Sequence, residues 1–320
     1  MNGLIRGLLL TLACALALPA SAQNFPSRPI RMIIGIAPGG GFDTGARQVA
    51  TEVSQVLGQQ VLVENRPGAG TTIASAAVAA AAPDGYTLQY ADTSLLIAPS
   101  LYKNLPFDPV KSFTAVCGVG WETLALVVNP AVPAKTTAEL IALLKANPGK
   151  YSYGSPGVGT VHHLAMELCK TQAGVDVVHI PYKGAALYIP DLVTGVLPMA
   201  IASVTATLPH VKAGKLRAIA LTRPTRLALA PDWPTLAETL PGFDAAPSFF
   251  VLAPAGTPSE LVAKLSAAFK KAVSVDRLKR SFAERGATAE FVAPEVLTAS
   301  IGADVRKWSA IAKGAGAKAE

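Results

Sequence analysis

The chain has 320 residues, 51% of them hydrophobic, with 28 Lys and Arg against 21 Asp and Glu and a formal net charge of +7. The basic residues are scattered, with no aromatic-basic patch, so the pattern excludes nucleic acid as the expected partner while suiting an acidic ligand. Beyond the first 22 residues no apolar run is long and unbroken enough to cross a bilayer.

At the N-terminus Arg6 precedes an apolar run from Leu8 to Leu18, followed by Pro19-Ala20-Ser21-Ala22. A short positive region, an apolar core too short for a membrane span and an Ala-x-Ala ending predict a cleavable secretory signal over 1–22, cut after Ala22. The expected location is the periplasm. Thr11-Leu12-Ala13 makes a poor lipidation site for Cys14. Cys117 and Cys169 remain after cleavage, and an oxidising compartment permits a disulfide. Their apolar surroundings favour two buried thiols instead.

The mature chain repeats one rhythm of apolar strand, Gly/Ser/Thr loop and helix. A strand over 30–35 leads through the loop 37–42 to a helix over 44–57, with Asp43 as its N-cap. Strands follow over 61–64 and 87–91, separated by an Ala-rich helix over 72–82 that Pro83-Asp84-Gly85 ends. A run over 124–129 is positioned to cross between two lobes. The pattern then restarts, with helices over 137–146, 161–173 and 185–193 between strands over 151–154, 177–180, 197–201 and 216–221. A return crossing over 249–252 and helices over 259–273 and 293–312 complete the first lobe. Such alternation predicts an α/β protein of two lobes, each a mostly parallel sheet flanked by helices. Residues 23–126 and 249–320 are assigned to one lobe and 127–248 to the other. In such sheets ligands sit beyond the carboxyl ends of the strands, so the cleft belongs between the lobes.

Two glycine loops carry the chemistry. Pro38-Gly39-Gly40-Gly41-Phe42-Asp43 joins a strand to a helix start, where backbone N–H groups and the helix N-terminus favour an anion. The plain alternative is a tight turn capped by Asp43. Ser155-Pro156-Gly157-Val158-Gly159-Thr160 opens the helix that carries His162 and His163. It fails as a hydrolase elbow because Tyr153 stands where the first glycine belongs. It fails as a dinucleotide fingerprint because His162 replaces the third glycine. His163 and Glu167 lack a third metal ligand. An anion cradle with two hydroxyls remains, and His163 either lines it or packs. Thr93 and Ser94 follow the third strand and offer further hydroxyls, and Tyr182 is placed to lean over a ligand. Lys183 beside it reads more readily as a solvated surface residue.

Taken in order, these segments resemble the receptors of tripartite tricarboxylate transporters, the Bug or TctC-type proteins. Pro38-Gly39-Gly40, Val63-Glu64-Asn65-Arg66-Pro67-Gly68-Ala69-Gly70, Pro83-Asp84-Gly85-Tyr86-Thr87-Leu88 and Leu105-Pro106-Phe107-Asp108-Pro109 carry the likeness. Tyr153-Gly154-Ser155, Pro181-Tyr182-Lys183-Gly184 and Ala253-Pro254-Ala255-Gly256-Thr257-Pro258 extend it through nearly the whole mature chain. The resemblance implies a type II periplasmic binding protein fold, no cofactor, no catalysis, and a carboxylate gripped by Gly39–Asp43 and Ser155–His163 through backbone groups and waters. It also implies permease subunits as partners, and a monomer is expected. Three departures stand out. Phe42 replaces a small hydroxyl residue. Ala202, beside Ser203 in the remaining stretch of candidate pocket, replaces an acid that would suit a ligand ammonium. Ile36-Ala37 replaces Phe-Pro.

The leading expectation is therefore a periplasmic receptor for a small aliphatic or aromatic carboxylate. A ligand sensor of the same fold that feeds a signalling partner is the first alternative. An exported hydrolase using Ser155 and His163 is the second.

Overall fold

The computed structural model describes residues 25–39, 41–182 and 184–317. The expected signal segment 1–22 lies outside the described residues, as do Gly40 and Lys183. Among the described residues no helix is long and apolar enough to cross a membrane.

The chain begins with β1 (Ile30–Ile34), α1 (Gly41–Leu57), β2 (Val61–Asn65), α2 (Thr72–Ala79), β3 (Thr87–Asp92), α3 (Ser94–Leu101) and β4 (Phe113–Glu122). It continues through β5 (Leu124–Val128), α4 (Thr137–Ala146), β6 (Ser152–Ser155), α5 (Val161–Ala173), β7 (Val178–Pro181), α6 (Ala185–Thr194), β8 (Met199–Ser203), α7 (Val204–Lys212) and β9 (Arg217–Leu221). It closes with β10 (Ser248–Pro254), α8 (Ser259–Val273), α9 (Asp276–Glu284), β11 (Ala287–Val292) and α10 (Pro294–Gly314). Two sheets result, one in the order β11-β4-β10-β3-β1-β2 and the other β7-β6-β8-β5-β9.

The outer strands of each sheet follow the expected parallel rhythm: β1 pairs in parallel with β2 and β3, and β6 with β7 and β8. Strands near the crossings run antiparallel, β10 against β3 and β4, and β5 against β8 and β9. The mixture has a simple cause. A chain that leaves one sheet for the other and later returns must traverse the junction in both directions. The outward passage is confined to Thr123, because β4 ends at Glu122 and β5 begins at Leu124. All five residues of β5 are buried and pair in the second sheet, so residue 126 already lies within that sheet.

Helix α1 begins at Gly41, three residues before the expected start, so Asp43 stands in its first turn rather than as its cap. An acid there still complements the helix dipole. Helix α5 spans the expected residues and is capped by Thr160, whose Oγ1 accepts the His163 N–H. Helix α9 and β11 were not expected from the sequence, and β4 escapes the periodicity reading because Gly118 and Gly120 interrupt its apolar pattern. Their reason is close approach. A Cβ on Gly120, at φ 146°, would stand 1.9 Å from the Thr288 carbonyl oxygen of β11.

One face of the first sheet packs Met32, Ile34, Val53, Phe249 and Phe269 into a core beneath α1 and α8. The other face joins a continuous core that runs from Ile33, Leu96 and Phe250 through Trp308 of α10 to Leu164 and Met166 of the second lobe. Helix α10 thus packs on α3 and β4 and also reaches α5 across the cleft. Cys117 and Cys169 are free and buried, as their apolar neighbours imply.

Gly120→Ala should cost ~2–4 kcal/mol, since the added methyl meets backbone rather than a movable side chain. Urea unfolding of the variant beside the parent is the check.

Candidate functional site

In the first lobe the β1–α1 loop is closed by its own acid. The Asp43 carboxylate accepts the Gly39 N–H at 3.0 Å, Arg47 Nε at 3.1 Å and Asn65 Nδ2 at 2.8 Å. Burial opposes its charge, but the bonds from Arg47, Asn65 and Gly39 prevail and hold its pKa at about 2. Asp43 therefore clasps the loop and has little capacity left for a ligand. Gly41 opens α1, and Phe42 lies half-buried, edge-on to Tyr90 at 4.9 Å and to Phe249 at 5.3 Å. At the end of β3 the Ser94 N–H is tied to Asp92 Oδ1, and Thr93 Oγ1 accepts the Ser248 N–H at 2.9 Å.

In the second lobe the glycine loop rests on a stacked aromatic layer. His163 and His179 stack at 4.0 Å between ring centroids, and Tyr153 stacks on His179 at 4.8 Å. Ser155 Oγ lies 2.7 Å from His179 Nε2, and the Gly159 N–H donates to His163 Nδ1. Thr160 Oγ1 donates to the Gly157 carbonyl and so ties the loop to its helix. Desolvation lowers both imidazoles to about 4, so both are neutral near pH 7. Tyr153 donates to Glu167, which also pairs with Lys170. Ser155 is fully buried and its imidazole partner is His179, not His163. Val158 is 42% exposed at the loop tip.

The remaining candidates divide. Tyr182 spends its hydroxyl on Asp191 at 2.8 Å. Ala202 is wholly buried in the second-lobe core, whereas Ser203 caps α7 by accepting the Ala206 N–H. Of the candidates, Gly41 and Phe42 line a cavity between the lobes, together with Glu122, Thr205, Phe249 and Arg285. It measures about 20 Å³, room for little more than one water. Thr93 lines a separate space of about 340 Å³ on the α10 side of the junction, with Trp121, Arg223, Ser248, Lys307 and Trp308.

Glu122, Arg285, Tyr90 and His179 were not singled out from the sequence. The first could have been, as a lone acid closing the apolar run that ends at the crossing. Desolvation raises Glu122 to about 7; the Ser203 hydroxyl opposes the rise, Asp92 adds to it and Arg285 opposes it. Desolvation also raises Asp92, against the Ser94 hydrogen bonds.

The model of the tripartite tricarboxylate transporter family receptor matches residues 45–316. Protein BugT of Bordetella pertussis is 36% identical over 95% of this chain and 94% of its own length. An R. palustris protein solved with adipate is 30% identical at a TM-score of 0.82, over 92% of this chain and 100% of that one. MatC from Rhodopseudomonas palustris, solved with bound malate, is 29% identical at a TM-score of 0.79, over 90% of this chain and 99% of that one.

The raised pKa of Glu122 has a stability consequence of defined sign. The folded state holds this proton more tightly than the unfolded chain, so its contribution is lost as pH rises from about 4.5 towards about 7. Glu122→Gln should therefore be more stable than the parent at pH 8 by ~1–3 kcal/mol, with the gap closing below pH ~5. Denaturant titrations at the two pH values measure it. Gly159 has φ 78°, and a Cβ there would stand 1.9 Å from Leu101 Cδ1 of the first lobe. Gly159→Ala should cost ~1–2 kcal/mol through φ even after Leu101 rotates away, so adding Leu101→Ala should not restore the parent melting temperature.

Proposed function

The chain belongs to the tripartite tricarboxylate transporter receptor family, and from that premise we propose that it captures a small carboxylate between its lobes and delivers it to the permease subunits of such a transporter. Its site of action in this reading is the periplasm, reached by a signal cut after Ala22. The family is one of solute-binding receptors, not enzymes.

The observation that carries the reading is the meeting of two helix N-termini from different lobes. Gly41 and Phe42 at the start of α1 and Thr205 at the start of α7 line the same cavity. The positive ends of two helix dipoles converge there, which favours an anion without needing a formal cation. Phe42 and Phe249 give the same space an apolar wall, suited to the carbon body of an organic acid. The relatives that hold adipate and malate support the same ligand class. A cavity of about 20 Å³ does not admit such a molecule. The lobes must part for loading, and the closed arrangement then excludes water from the polar contacts.

Thermal denaturation with succinate, malate, adipate and benzoate tests the proposal. At a concentration a hundredfold above Kd, a true ligand adds about 2.7 kcal/mol by mass action and raises the melting temperature by a few degrees. A rise with sugars or amines and none with any of the acids would reject it.

A further inference from the structure

The space of about 340 Å³ on the α10 side of the junction is separate from the cleft cavity. Trp121 and Ser248 are register partners across β4 and β10, and both line it. Their chain neighbours Glu122 and Phe249 line the small cavity instead. Successive residues of a strand point to opposite faces, so the two crossing strands stand between the two spaces. Both sheets contribute walls to the larger one. Trp121 and Ser248 come from the first sheet, and Lys307 and Trp308 come from α10 packed on it. Arg223 follows β9 of the second sheet, and Asp244 lies on the return passage. The volume is that of a small-molecule site.

Its charges are unevenly matched. Lys307 Nζ stands 3.6 Å from Asp244 and 5.4 Å from the centre of the Trp308 ring. Desolvation pushes Asp304, which also lines the space, towards its protonated form; Lys307 opposes the rise and Asp244 adds to it. Arg223 is half-buried, and its one hydrogen bond among the described residues is a long contact from Nη1 to Thr123 Oγ1 at 3.5 Å. Desolvation acts against its charge, and Asp244 and Glu290 support it without a hydrogen bond. A guanidinium so placed has its planar fork free for a carboxylate, and two indoles lie in the walls around it.

We propose that this space is a second ligand site, separate from the cleft, which takes a small aromatic carboxylate: Arg223 pairs with the carboxylate, and Trp121 and Trp308 cover the ring. The site bears on the clamp as well. Its walls come from both sheets, in the arrangement that leaves the cleft cavity at about 20 Å³. An occupant that touches both walls here and loses one of them when the lobes part holds the lobes together. Linkage then makes it tighten the binding of whatever the cleft closes on.

The chain has three tryptophans, each with one indole N–H resonance. Trp121 and Trp308 line the site, whereas Trp233 packs on the second-lobe core and lines neither space. Titrating the mature chain with benzoate, benzamide and cyclohexanecarboxylate separates charge from shape. Benzoate should shift the Trp121 and Trp308 signals saturably and leave Trp233 in place. Benzamide, which lacks the charge, and cyclohexanecarboxylate, which lacks the flat ring, should each bind about tenfold more weakly or worse. Arg223→Gln should weaken benzoate by about tenfold or more at the same signals, and Arg223→Lys should fall between, because an ammonium keeps the charge but not the fork. Small-angle scattering reads the bridging: benzoate should lower the radius of gyration of the parent and not that of Arg223→Gln. If Trp121 and Trp308 ignore benzoate, or answer all three molecules alike, or answer benzoate equally in Arg223→Gln, the site is wrong. If they respond as expected and the particle does not shrink, the bridging is wrong. Neither result bears on the receptor reading, which rests on the cleft.

Discussion

The cleft is organised around one buried residue, Thr123, through which the chain leaves one sheet for the other. Its N–H donates to the Gly286 carbonyl of the first lobe at 3.1 Å, and its carbonyl accepts the Val204 N–H of the second at 3.0 Å. Backbone groups without access to water must be paired, and this small ladder pairs them at the point where the two lobes join. The return passage is tied to it, with the Glu122 N–H bonded to the Pro247 carbonyl and the Ala245 N–H to the Thr222 carbonyl. Three residues at the cleft stand directly beside this junction. Glu122 immediately precedes Thr123, Arg285 immediately precedes Gly286, and Ser203 immediately precedes Val204. Desolvation of the acids follows from where the chain has to cross.

The two glycine loops reach their shapes by opposite means. In the first lobe a charge does the work: Asp43 is ionised, and its bonds to Gly39, Arg47 and Asn65 hold the turn. In the second lobe neutral groups do it: stacked imidazoles, a buried serine and a threonine cap. His163 must carry its proton on Nε2, because Nδ1 accepts the Gly159 N–H. Protonating either ring would place a cation beside the other, and protonating His163 would remove the acceptor of the Gly159 N–H.

Much of this was legible in the sequence. The order of strand, glycine loop and helix placed both loops, and α5 spans the residues 161–173 expected for it. What stayed hidden was pairing across distance. Ser155 and His179 are separated by 24 positions and meet only because β6 and β7 lie side by side. Glu122 and Arg285 meet only because β11 returns to the edge of β4. Asp43 was legible as a residue of the first loop, but its saturation depends on Asn65 at the end of β2. Strand β4 was obscured by glycines whose role is to admit a neighbouring backbone. Composition and periodicity report what a segment prefers locally; they are silent on which distant segment approaches it.

The position of β10 in the first sheet bears on how the protein is made. That strand lies between β3 and β4, at the middle of the sheet rather than at its edge. The second lobe is one continuous stretch and can assemble as soon as its last strand exists. The first lobe cannot, because its centre is supplied by residues 248–254, after the whole second lobe has been threaded. Until then β3 and β4 present open edges with no partner between them, and closing the gap carries the entropy of a long loop. Assembly should be ordered, with the contiguous lobe early and the split lobe completed last.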